Sequence, residues 1–120
     1  MKAVYLPVFI LVLLSLNKVS AQVPADGLSP ADGTNIGNPA IKGSWVFDSR
    51  NQQYQLTGSG YNIWNERDEF FFLSQRISGD LIFSACLEFK GAGTDFHRKA
   101  GIMFRSSLDE DAPYVDVAVH

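Results

Sequence analysis

Between residues 81 and 89 the chain alternates with a period of two. Leu81, Phe83, Ala85, Leu87 and Phe89 fall on one side, and Ile82, Ser84, Cys86 and Glu88 on the other. A β-strand sends successive side chains to opposite faces, whereas a helix gathers apolar residues at spacings of three and four. Beyond the N-terminal segment no window shows helical spacing, and shorter apolar runs recur between turn residues. Strands and turns without helices predict an all-β chain, built as an antiparallel sandwich or barrel.

The remaining runs place the other strands. Residues 43–47 and 53–57 flank Asp48-Ser49-Arg50-Asn51-Gln52, the pattern of a hairpin with a short polar loop. Gly58-Ser59-Gly60 then breaks the strand. Residues 69–77 form the next one, with Phe70, Phe72 and Ser74 on one face and Phe71, Leu73 and Gln75 on the other. Ser78-Gly79-Asp80 turns the chain into the 81–89 strand. A glycine-rich loop leads to a strand over residues 99–106, whose apolar side carries Ala100, Ile102 and Phe104. Residues 107–113 make an acidic loop, and Tyr114 opens a last strand with no turn after it. Residues 40–120 are therefore expected to be the N-terminal part of a β-sandwich domain, incomplete at its C-terminal end.

Two segments precede that domain. Met1-Lys2, a 14-residue apolar run from Ala3 to Leu16, and Val19-Ser20-Ala21 follow the order of a secretory signal peptide. The run falls short of the ~20 residues that a membrane-spanning helix needs. Residues 1–21 are expected to be removed near Ala21, giving a secreted or periplasmic protein with no membrane span. Residues 22–39 are rich in Pro, Gly, Asp and Asn and contain Pro-Ala-Asp-Gly twice. They read as a flexible leader, with Ile36 docking on the domain.

Charge and cysteine usage narrow the function. Removing the two lysines of the export segment leaves eight basic and thirteen acidic residues, a net charge of −5. Nucleic acids and anionic membranes call for a basic footprint, so neither is the expected partner. Cys86 is the only cysteine, so no internal disulfide can form and apolar burial must hold the fold. Free cysteine behaves as a small apolar residue, and Cys86 is expected to be buried or half-buried.

Three stretches carry a family resemblance. Gly58-Ser59-Gly60-Tyr61-Asn62-Ile63-Trp64 precedes Asp68-Glu69-Phe70-Phe71-Phe72. Ser78-Gly79-Asp80-Leu81-Ile82-Phe83 leads to Leu87-Glu88-Phe89. Lys99-Ala100-Gly101-Ile102-Met103-Phe104-Arg105 is followed by Ala112-Pro113-Tyr114-Val115. In this order they resemble the concanavalin A-like sandwich domains of a family of unknown function, found attached to secreted glycoside hydrolases and β-propeller proteins. The resemblance implies a two-sheet jelly roll acting as an accessory or carbohydrate-associated module.

The residues that could recognise a sugar are an aromatic platform with polar groups beside it. Tyr61, Asn62, Trp64, Asn65, Arg67 and Asp68 supply that mixture on one loop, and Arg105 is a further cation on a strand face. The ligand-binding candidates are thus Tyr61, Trp64, Arg67, Asp68 and Arg105, and the expected partners are glycans or cell-surface glycoconjugates. The competing reading caps the core edge with Trp64 and leaves Arg105 facing solvent or ion-paired.

An enzyme is the less favoured class. A glycosidase pair in such a sandwich would place carboxylates at alternate strand positions, ~5–5.5 Å apart for a retaining mechanism. Glu66 and Asp68 alternate, but Phe70 holds the third position. No serine-nucleophile elbow, zinc spacing or phosphate-cradling glycine loop is present. Asp109-Glu110-Asp111 could offer calcium its oxygens but lacks the EF-hand spacing, so no cofactor is expected. The expectation is a non-catalytic module. The alternative is a structural or protein-interaction module that self-associates or binds a partner through an open strand edge.

Overall fold

In the computed structural model, which describes residues 32–64 and 66–120, eight strands follow one another. They are β1 (Asp32–Ile36), β2 (Ser44–Asp48), β3 (Gln53–Thr57), β4 (Ile63–Trp64), β5 (Arg67–Asp68), β6 (Phe70–Ser74), β7 (Ala100–Arg105) and β8 (Tyr114–Val119). No helix occurs among the described residues, and every ladder is antiparallel. The all-β expectation therefore holds. The ladders are four separate pairs: β1 with β6, β2 with β3, β4 with β5, and β7 with β8.

Local chemistry explains the first hairpin. Asp48, at the end of β2, accepts hydrogen bonds from the backbone amides of Arg50 and Asn51 and from the Asn51 side chain. The Asn51 side-chain bond foremost, and the two amide bonds after it, favour its ionised form and hold its carboxyl below the usual carboxylate range. Gln52 closes the loop in the left-handed region, at φ 53°. The register that follows sets Trp45 opposite Leu56 and Phe47 opposite Tyr54, so three rings share one face. The Phe47 and Tyr54 rings lie 4.5 Å apart between centroids.

Packing centres on β6, whose five residues are all half-buried. Phe71 points toward the β2–β3 hairpin and lies directly over Gly43, where any side chain would meet its ring. On the opposite face Phe70 and Phe72 make an edge-to-face pair at 5.7 Å, and the Arg105 guanidinium of β7 lies over the Phe70 ring. Ile36, at the end of β1, is completely buried, and so is Pro39 three residues further on. Asn35 reinforces this corner by accepting the Gly43 amide at 2.8 Å.

Several expectations hold closely. The strands predicted over 43–47, 53–57 and 99–106 correspond to β2, β3 and β7, and the last strand starts at Tyr114 as expected. The docking of Ile36 is also present. Others need correction. The flexible leader over 22–39 gives way at 32–36 to β1, whose backbone pairs with β6 from Asp32 opposite Ser74 to Ile36 opposite Phe70. The strand expected over 69–77 is shorter, ending at Ser74.

The largest correction concerns residues 81–89, which form no strand despite their clean alternation. Leu81, Ile82, Phe83 and Leu87 are exposed, and so is Cys86, against the expectation of burial. Alternation marks which side chains would share a face. A strand also needs backbone partners and an apolar surface to cover that face, and here the segment has joined neither. The signal peptide, its cleavage near Ala21 and the leader up to residue 31 lie outside the described residues.

Gly60 supplies a test of this packing. A Cβ at Gly60 would overlap the Glu69 carbonyl, and backbone yields less readily than a side chain. Gly60→Ala should cost about 1–3 kcal/mol through overpacking. In urea unfolding the midpoint should fall with the slope unchanged.

Candidate functional site

The candidates converge on the short β4–β5 hairpin, which the sequence had marked only as a loop. Its two-residue ladder sets Ile63 opposite Asp68 and Trp64 opposite Arg67. Such a ladder is too small to persist alone, and it is held from several sides. The Glu69 amide donates to the Asn62 carbonyl at 2.7 Å, and the Tyr114 hydroxyl donates to the Ile63 carbonyl at 2.6 Å. From the acidic loop the Glu110 carbonyl accepts the Asp68 amide at 2.7 Å.

This clamping divides the candidates into two groups. Trp64 and Arg67, as a cross-strand pair, share the outer face. Tyr61 is 92% exposed and Trp64 64% exposed, so neither ring caps the core. Arg67 is also exposed and makes a two-point contact with Glu110, its Nε at 2.9 Å from Oε1 and its Nη2 at 3.1 Å from Oε2. An exposed pair of this kind contributes ~0–1 kcal/mol, so its effect is to orient the guanidinium more than to stabilise the fold. Beside these residues a recess of about 230 Å³ is lined by Tyr61, Arg67, Asp68 and Glu69. The Tyr61 amide donates to Glu69 Oε1 at 3.1 Å, fixing one wall.

Asp68 and Arg105 face the other way. Their side chains are only 5% and 2% exposed, and Arg105 Nη1 donates to Asp68 Oδ2 at 3.1 Å. The same guanidinium donates from Nε to the Ser107 carbonyl at 2.8 Å and from Nη2 to the Asp109 carbonyl. Its plane is flanked by the Phe70 and Tyr114 rings, with centroids 5.4 and 6.0 Å away. Arg105 is thus the ion-paired residue of the competing reading, and its hydrogen-bonding groups face the protein. Asp68 shares that pair, and only part of it borders the recess.

Sequence reasoning passed over Glu69, Glu110 and Tyr114, which orient the hairpin. A consecutive Asp-Glu-Asp run reads as a solvated turn. Nothing in that run shows that Glu110 reaches Arg67 from 43 positions away. Asn65, considered with the other loop residues, lies outside the described residues. Among the described residues no three His, Cys, Asp or Glu side chains are grouped to hold a metal ion. No family model, curated protein or solved structure matches the chain.

The buried and the exposed ion pairs predict opposite outcomes. Breaking a buried ion pair from one side strands the other charge, at a cost of about 3–5 kcal/mol. Arg105→Ala should therefore lose that much stability or the cooperative transition itself in chemical denaturation, while Arg67→Ala should stay within about 0.5 kcal/mol of the parent.

Tyr114 gives a pH dependence. Burial, followed by the negative charges of Asp68 and Asp116, raises its phenol above the ordinary tyrosine value of 10.0, against an opposing effect of Arg105. A raised folded-state value means that the folded chain keeps a proton the unfolded chain gives up. The associated stability is complete below pH 10.0 and declines as the pH rises toward the folded value. Thermal unfolding at increasing alkaline pH should show a steeper loss for the parent than for Tyr114→Phe.

Proposed function

We propose that this chain is an exported, non-catalytic β-sandwich module of the concanavalin A-like kind, which binds carbohydrate through Tyr61, Trp64 and Arg67. The observation that carries this reading is the exposure of two large aromatic rings, Tyr61 and Trp64, at one small hairpin that is itself clamped in place. Exposed rings rimmed by polar groups are a common feature of interaction sites. A sugar offers an apolar ring face and a rim of hydroxyls. The aromatic faces suit the first, and Arg67 donors with Glu69 acceptors suit the second. A hairpin with its backbone already fixed would lose little conformational freedom on binding.

Asp68 and Arg105 enter this proposal as supports rather than as ligand contacts. Arg105 holds Asp68, and Asp68 holds the inner strand of the hairpin whose outer face presents Trp64 and Arg67. A second reading is favoured by a different observation. Phe104, Val115, Val117 and Val119 are exposed on one side of the β7–β8 hairpin, as expected for a protein-interaction module.

The two readings separate in a binding assay on the exported form with a panel of soluble polysaccharides. Carbohydrate binding predicts that at least one polysaccharide raises the unfolding temperature. Tyr61→Ala and Trp64→Ala should each weaken that ligand at least tenfold while shifting the stability of the free protein by no more than about 0.5 kcal/mol. Binding that neither substitution alters, or no response across the panel, would contradict the proposal.

A further inference from the structure

We infer that the outer edge of β7 is a strand-acceptor site for the chain's own segment 81–89, which the structure itself leaves off the sheet. Three observations meet here. The first is phase. On β7 the apolar side carries Ala100, Ile102 and Phe104, and the ladder with β8 continues it through Val119, Val117 and Val115. The segment offers a matching set in Leu81, Phe83, Ala85, Leu87 and Phe89.

The second observation is how the connecting loop is drawn together. Arg98, two residues before β7, donates from Nη1 to the Gly91 carbonyl at 2.6 Å, and its guanidinium lies 4.4 Å from the centre of the Phe89 ring. Inside that closure the Asp95 side chain accepts the His97 amide, and the Asp95 carbonyl accepts the Arg98 amide. The chain thus reverses direction between the segment and β7, as an antiparallel connection requires.

The third observation is that β7 pairs with β8 alone among the described residues, leaving its other edge open. In the proposed register Gly91 stands opposite Arg98, the two residues that the Arg98 side chain joins. Phe89 then falls opposite Ala100, Leu87 opposite Ile102, and Ala85 opposite Phe104. Phe89, Leu87 and Ala85 arrive on the apolar side of β7, and a shift by one residue would reverse all three, while Phe83 and Leu81 extend past the end of β7 and Ile82 points to the other side. The product is a three-stranded sheet whose apolar face is continuous from the segment through β7 to β8. Glu88 and Ser84 go to the opposite side, together with Cys86.

This register places Cys86 opposite Met103, which gives a direct test in the full chain. Met103→Cys brings two thiols to directly opposed positions, where cross-strand Cα separations of ~4.5–5.5 Å suit a disulfide. Phe104→Cys is the control, because position 104 faces the other side. Oxidised glutathione serves as the oxidant, accepting the two electrons and two protons of disulfide formation. The expected result is an intramolecular disulfide in Met103→Cys at least ten times faster than in Phe104→Cys, read by mass spectrometry under non-reducing conditions. Hydrogen exchange on the unsubstituted chain should also protect alternate amides of the segment, a readout that does not rely on either variant folding. Equal disulfide rates in the two variants, exchange of every segment amide at the free-peptide rate, or a disulfide joining two chains would each overturn the proposal.

Discussion

The Arg105 guanidinium is the interaction on which the rest of this structure depends. It lies at the end of β7 and binds the carboxylate of Asp68 on β5 and two carbonyls of the loop leading to β8, with the Phe70 ring of β6 against one of its faces. The four antiparallel pairs share no ladder among the described residues, so side chains and single backbone bonds must join them. A buried charge is costly unless its donors are satisfied, and here carboxylate and carbonyl oxygens satisfy them. The Tyr114–Ile63 bond and the Glu110–Asp68 backbone bond act alongside it, joining the same two hairpins, β4–β5 and β7–β8. The opposite face of β6 depends on a different device, the close approach of the Phe71 ring to glycine backbone.

That hub also determines which groups remain available for function. A guanidinium enclosed by protein partners offers a ligand nothing, however suggestive its position on a strand may be in sequence. The groups that reach solvent at the same corner are two aromatic rings and an exposed arginine oriented by Glu110. Burying an aromatic ring against a ligand gains roughly the 1.5–3 kcal/mol of a core side chain, far more than an exposed ion pair contributes. The rings would therefore carry affinity, and the charges around them would select orientation.

Much of the fold was legible because strand alternation and turn residues act locally. The β2–β3 hairpin follows from apolar runs around Asp48-Ser49-Arg50-Asn51-Gln52, and β7 from Ala100, Ile102 and Phe104. What escaped was governed by partners distant in sequence. β1 contains one strongly apolar residue, Ile36, and owes its strand character to backbone pairing with β6. The 81–89 segment shows the reverse case, an unmistakable alternation that forms no strand in the structure. At the candidate site the sequence placed Tyr61, Trp64, Arg67 and Asp68 on one loop, and the structure keeps them at one small hairpin. The separation of Asp68 and Arg105 from Tyr61, Trp64 and Arg67 depends on side-chain direction. Direction became readable only once Arg105 was seen to reach across 37 positions to Asp68.

The most direct measurement is a double-mutant cycle of Asp68→Asn and Arg105→Met, followed by chemical denaturation. If each side chain is held by the other, the two substitutions will be strongly non-additive. The double variant should recover much of the stability lost in Arg105→Met alone, with a coupling of about 2–3 kcal/mol. Additive losses would mean that Asp68 and Arg105 act independently, and the division between buried support and exposed candidate surface would fail with them.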